Sequence, residues 1–247
     1  MAKKVLFTLI VLMASFYASA QNLQLHFDPR HALHGDKISG KNYFTATFEM
    51  FKPDKWGSTF MFVDLDFNQS RGNIGTMYLE IARDLKLGKS PIMAHLEFNG
   101  GVGKAENFGF SIANAYLAGA SYATNIKGVN LGTYLVYKYN AFERVSNDVQ
   151  WTVTWGANLF DNKFTVCGFL DVWTQDKNPV HGVDRGGKKI ILLTEPQFWY
   201  NVNSNLSLGT EIEISNNFIN SANGSRLDEP YINRSEEHTS ELQSQCS

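Results

Sequence analysis

The sequence predicts an all-β fold, namely an up-and-down antiparallel transmembrane β-barrel with about twelve strands. The first observation is a series of runs in which apolar and polar residues alternate with the period of a β-strand. The second is an N-terminal segment with the composition of a secretory signal peptide. The third is an aromatic content of 13%, with 18 phenylalanines in 247 residues. The slightly negative mean hydropathy argues against a helical membrane protein.

The N-terminal segment predicts export from the cytoplasm. It begins with two lysines and an apolar run from Val5, and it ends with the small residues Ala18 and Ala20. This order of basic, apolar and small residues is typical of a signal peptide cleaved after Ala20. The alternative is a single membrane anchor, for which the apolar run is short. We therefore expect residues 1–20 to be removed and the protein to lie in the cell outer membrane.

The C-terminal segment, residues 234–247, lacks the alternation of the preceding chain. Its first part, "RSEEHTSELQS", is similar to the translation of a common sequencing-library adapter. The alternative is a genuine polar tail. We interpret residues 234–247 as a sequencing artefact and expect them to be disordered. The barrel domain then covers residues 21–233, and we expect its native last strand to be missing.

Five alternating runs come first along the chain. They are "NLQLHFD", "YFTATFEMF", "STFMFVDLDFN", "TMYLEIARDLKL" and "IMAHLEFN". In the first run, for example, Leu23, Leu25 and Phe27 share one face. Several runs reach the length of roughly 9–11 residues that a tilted strand needs to cross a bilayer.

Six further runs follow a Gly-rich break. They are "ANAYLAGASYA", "VNLGTYLVYKYN", "VQWTVTWGANLF", "KFTVCGFLDVWTQ", "KIILLTEPQFWYNV" and "LSLGTEIEISN". The fifth of these is less regular than the others. Because turn residues separate all the runs, we expect hairpins in chain order. Single-chain outer-membrane barrels have an even strand number, so a twelfth strand would complete the eleven runs.

The acidic residues inside the runs raise the question of which face of the predicted sheet contacts water. A soluble barrel would bury its apolar face and expose its charges, and alternation alone does not exclude this. The signal peptide and the strand length favour an outer-membrane barrel, in which carboxylates face a hydrated lumen. The expected lumen carboxylates are Glu49, Asp64, Asp66, Glu80, Glu97, Asp171 and Glu211. The aromatic residues expected at the two membrane interfaces are Phe44, Tyr137, Tyr139, Trp151 and Tyr200.

One block of the sequence resembles a known family. "TFEMFKPDKWGSTFMFVDLDF", "GTMYLEIARDLKL" and "NAYLAGASY" are similar to the Tsx-like outer-membrane barrels, the superfamily of the nucleoside-specific channel, and look closer to its uncharacterised branch. The family's pattern is matched by Glu49, Trp56–Gly57, Phe62–Val63–Asp64 and Tyr78–Leu79–Glu80–Ile81. The resemblance implies a monomeric barrel of about twelve strands with a narrow polar pore. It also implies nucleoside transport.

Residues expected on the lumen face form a candidate solute site. Aromatic rings stack on flat solutes and carboxylates accept hydrogen bonds from hydroxyl groups, so the mixture suits transient binding of small polar or aromatic solutes, such as nucleosides. The predicted substrate-binding residues are Glu49, Phe60, Phe62, Asp64, Asp66, Tyr78, Glu80 and Trp173. In the alternative interpretation, these carboxylates pair with bases such as Arg83 and Lys86 and fill the barrel.

Composition and motifs narrow the function. With 22 basic and 24 acidic residues, the chain is not expected to bind nucleic acid. We recognise no enzyme motif, so no catalytic residue, metal or cofactor is predicted. His31 and His34 are interpreted as part of a polar loop rather than as metal ligands.

We expect a monomeric channel whose partners are outer-membrane lipid and a small-molecule solute. Two alternatives stay open. One is a structural or interaction barrel with a filled lumen. The other is a barrel-embedded lipid-modifying enzyme, which needs a converging Ser-His-acid set and for which His95 with Glu97 is the only strand-borne hint.

Overall fold

The computed structural model describes residues 20–27, 42–104, 108–142, 144–177, 186–218 and 233–238. Over these ranges the chain is built from antiparallel β-strands, with one short 3-10 turn at Ser70–Gly72. Among the described residues, no helix has the length and apolarity needed to span a membrane. The predicted signal peptide, apart from Ala20, and the loop that contains His31 and His34 lie outside the described residues.

The strands follow the order of the predicted runs. The first seven are β1 (Ala20–Phe27), β2 (Phe44–Asp54), β3 (Gly57–Asp66), β4 (Thr76–Lys86), β5 (Ile92–Lys104), β6 (Gly109–Ile126) and β7 (Val129–Asn140). The others are β8 (Ser146–Leu159), β9 (Phe164–Asp176), β10 (Lys188–Thr194), β11 (Gln197–Asn201), β12 (Ser207–Asn216) and β13 (Asn233–His238). The less regular tenth run is divided between β10 and β11.

Each strand pairs antiparallel with its neighbours along the chain, which makes the sheet an up-and-down barrel. β10 and β11 occupy one position in the wall, because both pair with β9 on one side and with β12 on the other. The break between them falls at Glu195–Pro196, where Pro196 has no N–H to give to the sheet. With these halves counted as one, the thirteen strand segments of the described residues form twelve strands, as predicted.

The barrel is closed by β13, which pairs with β12 and lies beside β1. This strand falls in the segment predicted to be disordered, so the structure differs from that expectation at residues 234–238. A strand edge offers main-chain donors and acceptors that pair with almost any backbone, which explains the difference. The rest of 234–247 lies outside the described residues, and its origin as an artefact stays a prediction.

The connections at the two ends of the barrel differ in length. At one end they are short, as at residues 55–56 between β2 and β3 and at Lys127–Gly128 between β6 and β7. At the other end most are longer, as at residues 67–75 and 177–187. Lys127 and Gly128 have φ angles of 52° and 88°, the positive values of a two-residue type I′ hairpin. Outer-membrane barrels have short turns at their periplasmic end and longer loops at the other.

The apolar face of the sheet points outward. In β1, Asn22, Gln24 and His26 are 4%, 1% and 5% exposed, whereas Leu23 and Leu25 are 46% and 41% exposed. β8 repeats this alternation, with polar side chains buried and apolar ones exposed. A soluble protein buries its apolar side chains. The polar interior and apolar exterior are those of an outer-membrane-type barrel.

The aromatic residues predicted at the membrane interfaces lie on this outer face. Tyr139 is half-buried, with its ring centre 6.3 Å from that of Tyr116. The other four are exposed: Phe44, Tyr137, Trp151 and Tyr200. Their depth in a membrane stays a prediction.

Candidate functional site

Strands β2, β3 and β4 place most of the predicted site on one wall of the lumen. The strand register pairs Glu49 with Phe62 and Phe62 with Glu80, so these three residues form a row across the wall. The next row toward the long loops pairs Asp64 with Tyr78. All five residues are half-buried. The wall therefore combines acidic and aromatic side chains, and their role in solute binding stays a prediction.

Three aromatic rings follow one another along this wall. The ring centres of Phe60 and Phe62 are 6.1 Å apart, and those of Phe62 and Tyr78 are also 6.1 Å apart. Both pairs are tilted, with interplanar angles of 54° and 53°. Tilted rings at this distance attract one another and leave part of their faces open to a flat solute.

The two acidic residues of β3 accept hydrogen bonds from neutral hydroxyl groups. Thr45 Oγ1 donates to Asp66 Oδ1 at 2.7 Å, and Thr47 Oγ1 donates to Asp64 Oδ1 at 2.5 Å. These donors sit directly opposite on β2. A hydroxyl group orients a carboxylate without supplying a positive charge, so ionised Asp64 and Asp66 would leave this wall negative.

Glu80 is held in the same way on β4. Its Oε1 accepts from Tyr78 Oη at 2.7 Å and from Asn99 Nδ2 at 3.1 Å. Asn99 lies opposite Glu80 in the register of β4 and β5. These bonds place the Glu80 carboxylate between an aromatic hydroxyl and an amide, both of which are neutral donors.

The bases proposed in the alternative interpretation lie elsewhere. Arg83 is on the outer face of β4, where its guanidinium pairs with Asp54 at 2.8 Å and donates to Thr59. Lys86 is exposed at the short-turn end and lies 3.5 Å from the main-chain oxygen of Asp54. The expected pairing of lumen carboxylates with Arg83 is therefore wrong, because Arg83 has the parity of the outward Ile81.

Trp173 is inward, as predicted, but it belongs to a different part of the wall. It is buried on β9, with the Lys138 ammonium 4.6 Å from its ring centre. Lys138 Nζ also donates to Gln150 Oε1 at 2.7 Å. Phe218 contacts the same ring edge-on, with the centres 5.6 Å apart. Trp173 thus binds a lysine and is not part of the ring series of β3 and β4.

Lys138 is a lumen residue outside the predicted set. It is 8% exposed on the inward face of β7, and it interacts electrostatically with four carboxylates: Glu80, Glu97, Asp148 and Asp171. The signal was present in "YLVYKYN", where Lys138 lies between the outward Tyr137 and Tyr139. A lysine at an inward position of a lipid-facing strand points to the lumen.

His95 forms a second polar cluster in the lumen. Its Nδ1 lies 2.9 Å from Asp84 Oδ1 and its Nε2 lies 3.0 Å from Glu97 Oε2. The ring of Tyr134 stacks on it, with the centres 4.1 Å apart. Ser121 donates to Asp84 rather than to His95. This arrangement lacks the nucleophile-to-base hydrogen bond of a catalytic triad.

The two sides of the lumen are packed differently. Inward side chains of β2, β3 and β4 are mostly half-buried, whereas those of β7 and β8 are mostly buried. On the packed side, Asp148 accepts hydrogen bonds from Asn140, Ser146, Thr174 and Lys188. The accessible part of the interior is therefore the side that carries Glu49, Phe62 and Glu80.

Comparisons with known proteins agree with this architecture. A family model described as "Domain of unknown function (DUF5020)" matches residues 20–232. No curated protein matches the chain. A solved structure described as "NanC porin structure in rhombohedral crystal form" is similar, with a TM-score of 0.53 and 9% sequence identity over 92% of this chain and 100% of that chain. At this identity the likeness shows the fold, an outer-membrane-type β-barrel.

Proposed function

The chain belongs to the family described as a domain of unknown function (DUF5020), and we propose that this member forms a narrow outer-membrane channel for small polar or aromatic solutes. The observation that carries the proposal is the half-buried wall of carboxylates and aromatic rings inside a barrel with an apolar exterior. A channel needs inward groups that a passing solute can contact, and this wall supplies them. The proposed protein is a channel and not an enzyme.

The proposed path runs along β2, β3 and β4. On this side Phe62 and Tyr78 offer ring faces next to Asp64 and Glu80. Each carboxylate already has a neutral donor, so it is oriented and keeps further acceptor positions. Such sites bind weakly and in sequence, which suits transit. The packed opposite side limits the path to small solutes.

The charge of this wall supports a preference among solutes. Carboxylates repel anions and attract cations, while neutral hydroxylated rings gain stacking and hydrogen bonds. We propose weak cation preference and passage of nucleosides before nucleotides. The resemblance of the Thr47–Leu87 block to Tsx-like barrels supports nucleosides as the first solutes to test. The proposed partners are this solute and outer-membrane lipid, with the protein acting as a monomer after removal of residues 1–20.

A structural barrel is the second candidate, and one observation favours it. The packed side holds a buried polar network, in which Lys138 donates to Gln150 and interacts electrostatically with Asp148, and Asp148 accepts from Asn140 and Ser146. If such side chains fill the whole lumen, no ion can pass through it. The barrel would then serve to present its loops to a partner. The two candidates differ in whether ions pass.

Planar-bilayer recording of the full-length protein separates the two candidates. A channel is expected to give small unitary currents in KCl, and adenosine on one side should reduce them more than AMP at the same concentration. Protein denatured before addition is the control for leakage. Folded protein that gives no current would exclude the channel and favour the structural barrel.

A further inference from the structure

Two buried acceptor atoms on β5 have no hydrogen-bond partner among the described residues. They are Glu97 Oε1 and Asn99 Oδ1, on inward-facing residues that are 8% and 7% exposed. The other polar atom of each group has a partner, because Glu97 Oε2 lies 3.0 Å from His95 Nε2 and Asn99 Nδ2 donates to Glu80 Oε1. Buried acceptors are normally satisfied, so these two atoms indicate a donor that comes from outside the protein.

The charges around these atoms are unequal. His95 faces a carboxylate at each ring nitrogen, and only the doubly protonated ring donates from both. Lys138 is the other cation that faces the cluster. Against these two cations stand four carboxylates: Glu80, Asp84, Glu97 and Asp171. Among the described groups, the cluster therefore has more acidic than basic side chains, which favours a donor that carries a positive charge.

A small side chain neighbours Glu97 in the strand register. Ala82 stands opposite Glu97 on one side and opposite Phe60 on the other. Its single methyl group separates the Glu97 carboxylate from the Phe60 ring. A cation placed over Ala82 would face a carboxylate on one side and an aromatic ring on the other, and both attract it.

Lys138 shows which cation this interior accommodates. Its primary ammonium lies over Trp173 and donates to the amide oxygen of Gln150, which combines a ring face with an uncharged acceptor. A ring and an uncharged acceptor also neighbour Glu97, since Phe60 stands opposite Ala82 and Asn99 lies two residues along β5. A metal ion is less suited, because the described residues contain no group of three His, Cys, Asp or Glu side chains that could hold one.

We propose that Glu80, Glu97 and Asn99 form a subsite for the primary ammonium group of a small organic amine. The ammonium would donate to Glu97 Oε1 and Asn99 Oδ1, and its third hydrogen would face Glu80. The inference rests on the proposed function in one respect, since the amine reaches the subsite through the lumen.

The probe for this subsite is 1,4-diaminobutane, and its neutral isostere is 1,4-butanediol. The variants are Glu97→Gln, which removes the charge, and Asn99→Ala, which removes the amide acceptor. The matched control is Asp54→Asn, an acid-to-amide change on the outer face. Heat-modifiable migration on a gel shows that each variant is folded before it is tested.

Two measurements are made on each protein. In bilayers, 1,4-diaminobutane is expected to block the KCl current at lower concentration than 1,4-butanediol, and Glu97→Gln should raise the blocking concentration about tenfold, the equivalent of about 1.4 kcal/mol. In detergent, the diamine should raise the unfolding temperature of the native protein and of Asp54→Asn. This shift should be lost in Glu97→Gln and in Asn99→Ala.

The outcomes separate the subsite from the channel. A KCl current with equal block in native protein and both subsite variants would overturn the subsite and leave the channel standing. No current, together with a variant-sensitive thermal shift, would overturn the channel and support the subsite. Equal effects of diamine and diol would show a polyol site and contradict the proposed ammonium specificity.

Discussion

The carboxylates of Asp64 and Glu80 each accept a hydrogen bond from a neutral hydroxyl group. Thr47 donates to Asp64 and Tyr78 donates to Glu80, so neither acid is neutralised by the residue that orients it. A hydrogen bond from a neutral group fixes geometry, whereas charge is balanced only by a cation. The selectivity of the proposed channel should therefore depend on these two acids individually.

The first prediction is that Asp64→Asn and Glu80→Gln lower the cation preference. Each amide can keep one acceptor for its neighbouring hydroxyl, so the wall loses charge but keeps its shape. The double variant should shift the reversal potential in a KCl gradient toward zero, with each single variant in between. Asp54→Asn on the outer face is the control and should leave the potential unchanged. A native pore that prefers anions would contradict the prediction.

The second prediction concerns Phe62, whose ring lies between Phe60 and Tyr78. Phe62→Ala removes the central ring and should weaken block by adenosine several-fold, since base–aromatic stacking contributes about 1–3 kcal/mol. Ion selectivity should not change, because the substitution removes no charge. Block and reversal potential are measured on the same channels. Phe48→Ala, an exposed phenylalanine of the outer face, is the matched control; equal loss of block in it would point to an effect on the fold.

At the scale of the strand, alternate residues of β3 face opposite environments. Asp64 Oδ1 accepts from Thr47 inside the barrel, whereas Leu65 pairs with Ala46 and Met77 on the other face, where Met77 is exposed. Successive side chains of a strand point to opposite sides of the sheet. Neighbouring positions should therefore differ sharply in contact with water.

The third prediction uses this pair. In intact outer membrane, a cysteine at position 64 (Asp64→Cys) should react with a small water-soluble thiol reagent, and a cysteine at position 65 (Leu65→Cys) should not. Both variants should be labelled equally after unfolding, which controls for expression. Preferential labelling at position 65 would contradict the lipid-facing assignment.

The fourth prediction concerns the break between β10 and β11. Gly168 of β9 has a φ of 153°, and a Cβ there would lie 2.5 Å from the main-chain oxygen of Glu195. Gly168→Ala should therefore lower the free energy of unfolding by about 1–3 kcal/mol. Gly109→Ala is the matched control, because the nearest neighbour of a Cβ there would be Gly103 O, at an ordinary 3.7 Å. Urea unfolding monitored by tryptophan fluorescence measures both, and equal midpoints would contradict the prediction.

At the scale of the whole molecule, closure depends on β13. This strand pairs with β12 and lies beside β1, yet the sequence "NRSEEH" contains no apolar residue. In lipid, each unpaired main-chain group costs several kcal/mol, so some strand must fill this position. Main-chain pairing satisfies the backbone groups of β12, but a segment without apolar side chains cannot make apolar contacts with lipid.

The fifth prediction is that the closing strand limits the stability of the barrel. Replacing residues 233–238 with a strand that alternates apolar and polar residues should raise the temperature at which the fast-migrating folded band disappears from a gel. Deleting residues 233–238 should abolish that band, because two edges would be left unpaired. A scrambled replacement of the same composition is the control. The same melting temperature for native, replaced and deleted chains would contradict a role of this strand in closure.

Alternation in the sequence is sufficient to predict most of the strands, their order and which of their residues face the lumen. The reason is that alternation with a period of two is local: Leu23 and Leu25 are placed outside by the same pattern that places Gln24 inside. The same pattern predicts Glu49, Phe62 and Glu80 in the lumen. It is also consistent with Arg83 on the outer face and Lys138 in the lumen.

The contacts among inward residues depend on the tertiary structure. Lys138 lies over Trp173 and His95 lies between Asp84 and Glu97 because barrel closure and strand register bring these positions together, and register is not encoded in the alternation of any single strand. Barrel closure and strand register also determine which side of the lumen is packed and which is accessible. Side-chain volumes add up across the barrel, so which side stays open depends on all strands at once.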